Sequence, residues 1–305
     1  MATYPYIATW DDHEVGDNTY RGGMAYMNNT EESFLASGGI SVDQVKMNAV
    51  RAYFEWMPMR QVEMDDNLRI WRTFKIGGLI DLIMLDTRNY DRSITDLYWN
   101  TGYIEDIKNE GSCTVLAHRQ ESWFHRQLTS SKATWRILGQ QLLFASLNTP
   151  LGYNLDTWAG GYTAARNRTL KVLADNKISN TIILAGDSHA NWVSEIYYED
   201  QKNPLAVEFG GSAVSSPSPA GENVTQAFGD FASEWIVTKN KESRWQEMVE
   251  RGYYEVSVKK EKVESVFWGV GLGKGDRKER ELARFQVTSG SSKLKGTWQN
   301  GFSDL

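Results

Sequence analysis

Ile178-Ser179-Asn180-Thr181-Ile182-Ile183-Leu184-Ala185-Gly186-Asp187-Ser188-His189 decides the architecture. Residues 178–185 are a short, nearly continuous apolar and β-branched run, the pattern of a strand buried on both faces. Ahead of it, residues 164–176 carry apolar side chains at helical spacing. Behind it the chain turns polar at once through Gly186, Asp187, Ser188 and His189. A helix, a buried strand and a polar loop at the strand's carboxyl end make the α/β arrangement at whose rim ligands bind. The expectation is an α/β (α+β) fold with a functional loop at 186–192.

Working outward, residues 6–10 read as an aromatic and β-branched strand that feeds the acidic cluster behind it. Residues 31–57 are helix-like, with Ser41 as a cap and a stop at Pro58. Residues 69–75 and 79–87 resemble strands paired around Gly77-Gly78, and a further strand is expected within 135–144. After a strand at 207–209 comes a Gly/Ser/Pro-rich loop to Gly221 and a polar helix near 225–235. The tail alternates in β fashion at 253–258, 263–269 and 283–287, then ends in a polar stretch expected to fray. Without internal repeat or low-complexity linker, residues 1–305 are expected to form one domain.

Composition narrows the function. With 305 residues, 41% of them hydrophobic, the chain can bury a large core without covalent staples, and the single Cys113 excludes an internal disulfide framework. A net charge of −6 and no basic run argue against a nucleic-acid scaffold or an anionic membrane surface as partner. No apolar run approaches the roughly 18 residues that span a bilayer. Residues 1–10 lack the basic start and apolar stretch of a signal peptide, whereas the sequons at Asn28, Asn167 and Asn223 lean toward a secretory origin. Twelve tryptophans and fourteen tyrosines read first as core and cleft walls.

Two polar clusters carry the chemistry. The first is Trp10-Asp11-Asp12-His13-Glu14-Val15-Gly16-Asp17-Asn18 and the second Gly186-Asp187-Ser188-His189-Ala190-Asn191-Trp192; together they hold two of the four histidines. Carboxylate oxygens and neutral imidazoles suit a hard-to-borderline cation. Two cations about 3.5–4 Å apart can clamp the attacking and leaving oxygens of an in-line displacement at phosphorus. A histidine that does not ligate can protonate the leaving alkoxide. Against this stand a capped or solvated turn for D-D-H-E, a simple β-turn for G-D-S-H, and a serine nucleophile at Ser188. The serine reading is weak, because no histidine follows His189. Gly269–Gly275 invites a phosphate-loop reading, but no good helix follows it, and a hairpin is the better expectation.

These blocks resemble the PhoD-like alkaline phosphatase family. The resemblance rests on W-D-D-H-E-V-G-D-N at 10–18, L-D-T-R-N-Y at 85–90, R-Q-E-S-W-F at 119–124, N-R-T at 167–169, A-G-D-S-H-A-N-W at 185–192, E-F-G-G-S-A-V-S-S-P at 208–217 and R-G-Y-Y-E-V at 251–256. The wording is closest to the fungal branch. The resemblance implies a calcineurin-like metallophosphoesterase β-sandwich flanked by helices. It also implies hydrolysis of phosphate mono- or diesters, with Ca2+ and Fe3+ as cofactors. By position, Asp12 falls where the superfamily has a metal-ligating asparagine, His13 at the general acid, and Asp187 and His189 at the late metal motif. Asn18 and Asp17 are further ligand candidates. Arg88 is a phosphate contact or a buried ion-pair partner of Asp86 or Asp91, and Trp10, Trp192 and Tyr90 are expected as cleft walls. The family's first metal motifs, a G-D-x-x-Y block and a cysteine, lie upstream of W-D-D-H-E, so the fold is expected to be incomplete at the N-terminus. Trp158-Ala159-Gly160-Gly161-Tyr162 reads like a W-D-G-Y block without its aspartate, and 111–114 also departs from the family's form. A non-catalytic binding or remnant protein is therefore the alternative reading.

Overall fold

The computed structural model describes residues 4–149, 156–271, 278–299, 301–303 and 305. In chain order the elements are β1 (Gly23–Met24), β2 (Met27–Asn28), α1 (Glu31–Ala36), α2 (Val42–Trp56), β3 (Arg72–Ile76), β4 (Ile80–Met84) and α3 (Thr101–Ile107). They continue with α4 (Ala117–Ser130), β5 (Trp135–Gly139), α5 (Trp158–Gly161), α6 (Thr163–Asp175), β6 (Thr181–Ala185), β7 (Asn191–Ile196) and β8 (Ala206–Gly210). The last are α7 (Gln226–Lys239), β9 (Ser243–Glu247), β10 (Gly252–Val258), β11 (Lys262–Val270), β12 (Glu279–Thr288), β13 (Leu294–Trp298) and β14 (Phe302–Ser303).

Among the described residues the strands form an eight-stranded sheet in the order β14-β9-β7-β8-β6-β5-β4-β3, a four-stranded sheet β10-β11-β12-β13, and the ribbon β1-β2. The centre of the large sheet, β4-β5-β6-β8, is parallel, and β3, β7, β9 and β14 run antiparallel to their neighbours. Period-2 alternation divides its apolar residues between two cores. Ile137 and Ile182 join Phe209, Trp245, Phe267 and Phe285 between the two sheets. Leu138 and Ile183 face the other way, against Phe124 and Leu128 of α4 and Leu170 and Leu173 of α6. This is the expected β-sandwich flanked by helices. Its inter-sheet core centres on Phe267, fully buried with its ring against Phe209, Trp245, Tyr254 and Phe285. Truncating such a residue to alanine costs about 3–5 kcal/mol.

Several expectations change. Residues 6–10 form no strand. The carbonyl of Trp10 accepts a hydrogen bond from the side-chain amide of Gln141 (2.7 Å) instead of from a neighbouring strand. The helical stretch 31–57 splits in two because Gly38 and Gly39 take left-handed backbone (φ 68° and 82°), which glycine adopts freely. Ser41 caps α2 as expected, its hydroxyl accepting from Gln44 N (3.1 Å). The strand within 135–144 stops at Gly139, and the polar tail supplies β13 and β14. Of the expected hairpin at Gly269–Gly275, residues 272–275 lie outside the described residues; its flanks pair antiparallel as far as Val270 and Glu279. No described helix is long and apolar enough to cross a membrane.

Candidate metal centre

The four parallel strands end at Met84, Gly139, Ala185 and Gly210, and the residues just past those ends converge. They are Asp86 and Arg88, Gln141, Asp187 and His189, and Gly211 to Ala213. The 10–18 loop is fastened over this rim by side chains. Trp10 Nε1 donates to Asp86 Oδ2 (2.9 Å). Gln141 donates from Nε2 to the Trp10 carbonyl and to Thr9 Oγ1, while its Oε1 accepts from Thr87 N and Thr87 Oγ1. The loop then closes on itself: Val15 N and Gly16 N donate to the Asp12 carbonyl (2.8 and 2.7 Å), and His13 N and Asn18 N to the two oxygens of its carboxylate (both 2.8 Å). The D-D-H-E run is thus a capped turn, and that turn projects its acids and imidazole toward the rim.

Asp11, Asp12, His13, Asp17, Asn18, Asp156, Asp187 and His189 all line one cavity of about 450 Å³. Ligand atoms of Asp12, His13 and Asp17 lie within 4.8 Å of one another, as do those of Asp11, Asp12 and Asp187. Behind the carboxylates sits Arg88, with a fully buried side chain. It donates from Nε to Asp11 (2.6 Å), from Nη1 to Asp156 (2.5 Å) and from Nη2 to Asp187, with Asp12 3.9 Å away. Arg92, equally buried, donates to Asp156, Thr95 and Tyr162. Arg88 is not among the residues lining the cavity, and the expected ion pair with Asp86 or Asp91 does not form: Asp86 accepts the backbone N–H groups of Arg88 and Asn89, and Asp91 pairs with Arg21.

Four carboxyl groups stand against two guanidiniums; Asp12 and Asp156 are nearly buried, whereas Asp11 and Asp187 keep 36% and 19% of their side-chain exposure. Burial pushes Asp187 well above the ordinary carboxylate range, opposed by Arg88 and reinforced by Asp11, Asp156 and Asp12. Asp11 is raised likewise by burial, against the pull of Arg88 and with a push from Asp12. Burial also acts to raise Asp156, but Arg92 and Arg88 outweigh it and hold this acid below its usual value. Burial disfavours the charge of Arg88, yet Asp187, Asp11, Asp156 and Asp12 keep it well above its ordinary pKa. Carboxyl groups in excess of guanidiniums, beside imidazoles and a side-chain amide, are a donor set that a hard-to-borderline cation fits, and its binding would displace the protons that burial favours.

Asn18 (φ 50°), Asp187 (φ 64°) and His189 (φ 56°) are left-handed non-glycine residues, of the side-chain types that enter this region most readily. Other family blocks form the supports. Gln120 clamps both backbone groups of Asp86 (2.8 Å each). Glu121 pairs with Arg168, and Arg251 Nη1 donates to the His189 carbonyl (2.7 Å).

Sequence reasoning missed Asp156 because it lies outside the altered 158–162 block, whose expected aspartate is absent; the acid stands two residues before Trp158. It missed Gln141 because a lone glutamine after a strand carries no motif. Trp10 and Trp192 prove to be core, and Tyr90 bonds Asp66 and Arg119 away from this cavity. Ser188 Oγ accepts from Trp192 Nε1 (2.7 Å), a structural role in place of a nucleophile's. Cys113 is buried elsewhere, its thiol on the Gly161 carbonyl.

Comparison with known proteins bears on the family and the fold. The chain is similar to alkaline phosphatase D of Bacillus subtilis (strain 168), 31% identical over 225 residues that cover 70% of this chain and 36% of that protein. It also superposes on a solved structure of PhoD with a TM-score of 0.75 at 24% identity, over 99% of this chain and 57% of the other. The chain thus spans about a third of the length of its curated relative. The family model of the PhoD-like phosphatases matches residues 1–267, and the chain belongs to that family.

Proposed function

We propose that this chain carries out metal-dependent hydrolysis of phosphate mono- or diesters, with residues 1–305 acting as one domain. One observation supports this reading above the rest: Asp12 and Asp187, from loops far apart in sequence, bring carboxylate oxygens within 4.8 Å of each other at the rim of the sheet. Converging carboxylates of this kind suit a hard cation. Asp12, Asp187, His189 and Asn18 would hold the metal. His189 Nδ1 lies 3.0 Å from the Pro217 carbonyl; a proton on Nδ1 leaves Nε2 to ligate. Asn18 Nδ2 is occupied by the Asp96 carbonyl (3.0 Å), which leaves Oδ1 for a cation. When bound, cations supply charge neutralisation of the phosphate oxygens and a coordinated water of lowered pKa. The largely oxygen donor set favours a hard ion such as Ca2+, with Fe3+ as the second candidate. His13, exposed on the cavity wall, would protonate the leaving alkoxide. The part of Arg88 is to hold Asp11, Asp156 and Asp187 in place.

The Arg88 fork also favours the non-catalytic alternative, because it supplies positive charge that cations otherwise bring. One experiment decides between them. The purified chain is analysed for metal and assayed with a chromogenic phosphate ester in added Ca2+ and Fe3+, beside the His13→Ala/His189→Ala double variant. Bound metal and turnover that the double substitution abolishes support the phosphatase reading; turnover that survives it removes the reading. No metal and no turnover favour the remnant.

A further inference from the structure

The cavity is acidic along most of its wall. Among the described residues, Tyr98 contributes the one phenyl ring to it, beside the small apolar surfaces of Ala213 and Pro219. This tyrosine is 72% exposed and sits at φ 69°, a left-handed conformation that is a genuine outlier for a bulky side chain. The turn that carries it is built to hold that geometry. Tyr98 N donates to Asp96 Oδ1 (2.8 Å), Leu97 N to Asn100 Oδ1 (2.7 Å), and Asn100 Nδ2 to the Thr95 carbonyl (2.9 Å). The Asp96 carbonyl accepts from Asn18, so the turn is fastened to the metal-site loop. The phenol donates to Asp17 Oδ1 (3.3 Å), which lays the ring along the cavity mouth beside the donor cluster. A strained backbone, a rigid turn and an unburied ring are together poor packing and a good platform.

We propose that Tyr98 is a specificity-determining residue, its ring stacking on the alcohol moiety of the ester and selecting substrates in which that moiety is aromatic. The proposal rests on the phosphate-ester reading above. A phosphoryl group seated among the carboxylate-held cations directs its ester oxygen toward the mouth, where this ring is the broad apolar surface available. Offset stacking and edge contact favour a planar leaving group over a small alkyl one.

The test is binding of two non-hydrolysable probes, phenylphosphonate and methylphosphonate, to the whole chain in added Ca2+, by isothermal titration. Wild type should bind the phenyl probe about tenfold more tightly, or about 1.4 kcal/mol. Tyr98→Phe should keep that ratio, because the ring remains. Tyr98→Gly should bring it to about one while melting no lower than wild type, since glycine accepts the left-handed backbone. A preference that survives in Tyr98→Gly overturns the proposal. So does a preference lost equally in Tyr98→Phe, which would make the phenol's bond to Asp17 the operative feature. If wild type binds neither probe, the phosphate-ester reading itself falls and takes this inference with it.

Discussion

Replacing Arg88 by methionine keeps most of the side chain's apolar volume and deletes the charge on which Asp11, Asp156 and Asp187 converge. Removing one partner of a buried ion pair costs about 3–5 kcal/mol, because the remaining charge stays buried and unpaired. Here three carboxylates lose their donor, although Arg92 still serves Asp156. At about 2 °C per kcal/mol for a chain of this size, the metal-free variant should melt roughly 6–10 °C below wild type at pH 8. The deficit should shrink on acidification, since Arg88→Met raises the folded pKa of Asp11 and Asp187 further and lifts that of Asp156 from its lowered value. A carboxylate with a raised folded pKa costs stability as pH rises and costs nothing once it is protonated. The deficit should also shrink in excess Ca2+, where the cation supplies the missing positive charge. Calorimetry of both proteins at pH 5.5 and 8, in chelator and in Ca2+, tests each arm. An unchanged melting temperature combined with a weakened KM for phosphate esters would refute the reasoning, for Arg88 would then touch substrate.

Further outcomes follow from the supports and from buried charges. Gln141→Ala should destabilise the chain by about 2–3 kcal/mol through the hydrogen bonds it orphans, and weaken cation affinity about tenfold or more by loosening the 10–18 loop; denaturation and metal titration read the two effects. Glu208, pushed up to about 7 by burial against the N–H groups of Phe144 and Ala145, binds its proton more tightly folded than unfolded, where 4.5 applies. Stability should therefore fall by about 3 kcal/mol as pH rises from about 4.5 to 7, and the difference between wild type and Glu208→Gln in urea melts should reproduce that slope. Lys46 works in the opposite sense: burial lowers it to about 8, so its contribution should rise between pH 8 and 10.5 and vanish in Lys46→Met. Gly252→Ala should cost about 3 kcal/mol, because a Cβ there would lie 1.8 Å from the cross-strand Trp268 carbonyl; a melting temperature within 2 °C of wild type would contradict this.

Local pattern made the centre of the fold legible. The apolar run at 178–185, the helical spacing at 164–176 and the period-2 tail became β6, α6 and the second sheet, because burial on a fixed face leaves a periodic trace in sequence. The same holds for the two polar loops, whose family wording survives in Asp12, His13, Asn18, Asp187 and His189, now lining one cavity. Residues 6–10 misled because a strand is defined by its partner, and the Trp10 carbonyl found Gln141 instead.

What the sequence determined by itself was the set of chemical groups and the strand ends on which half of them stand. Only the tertiary structure decided the charge arithmetic: that Arg88 lies behind the site and not in it, that Asp156 joins from an unremarked stretch, and that Tyr98 stands at the mouth. Those facts depend on Coulomb and hydrogen-bond terms between residues up to 99 positions apart, and such terms leave no periodic trace along the chain.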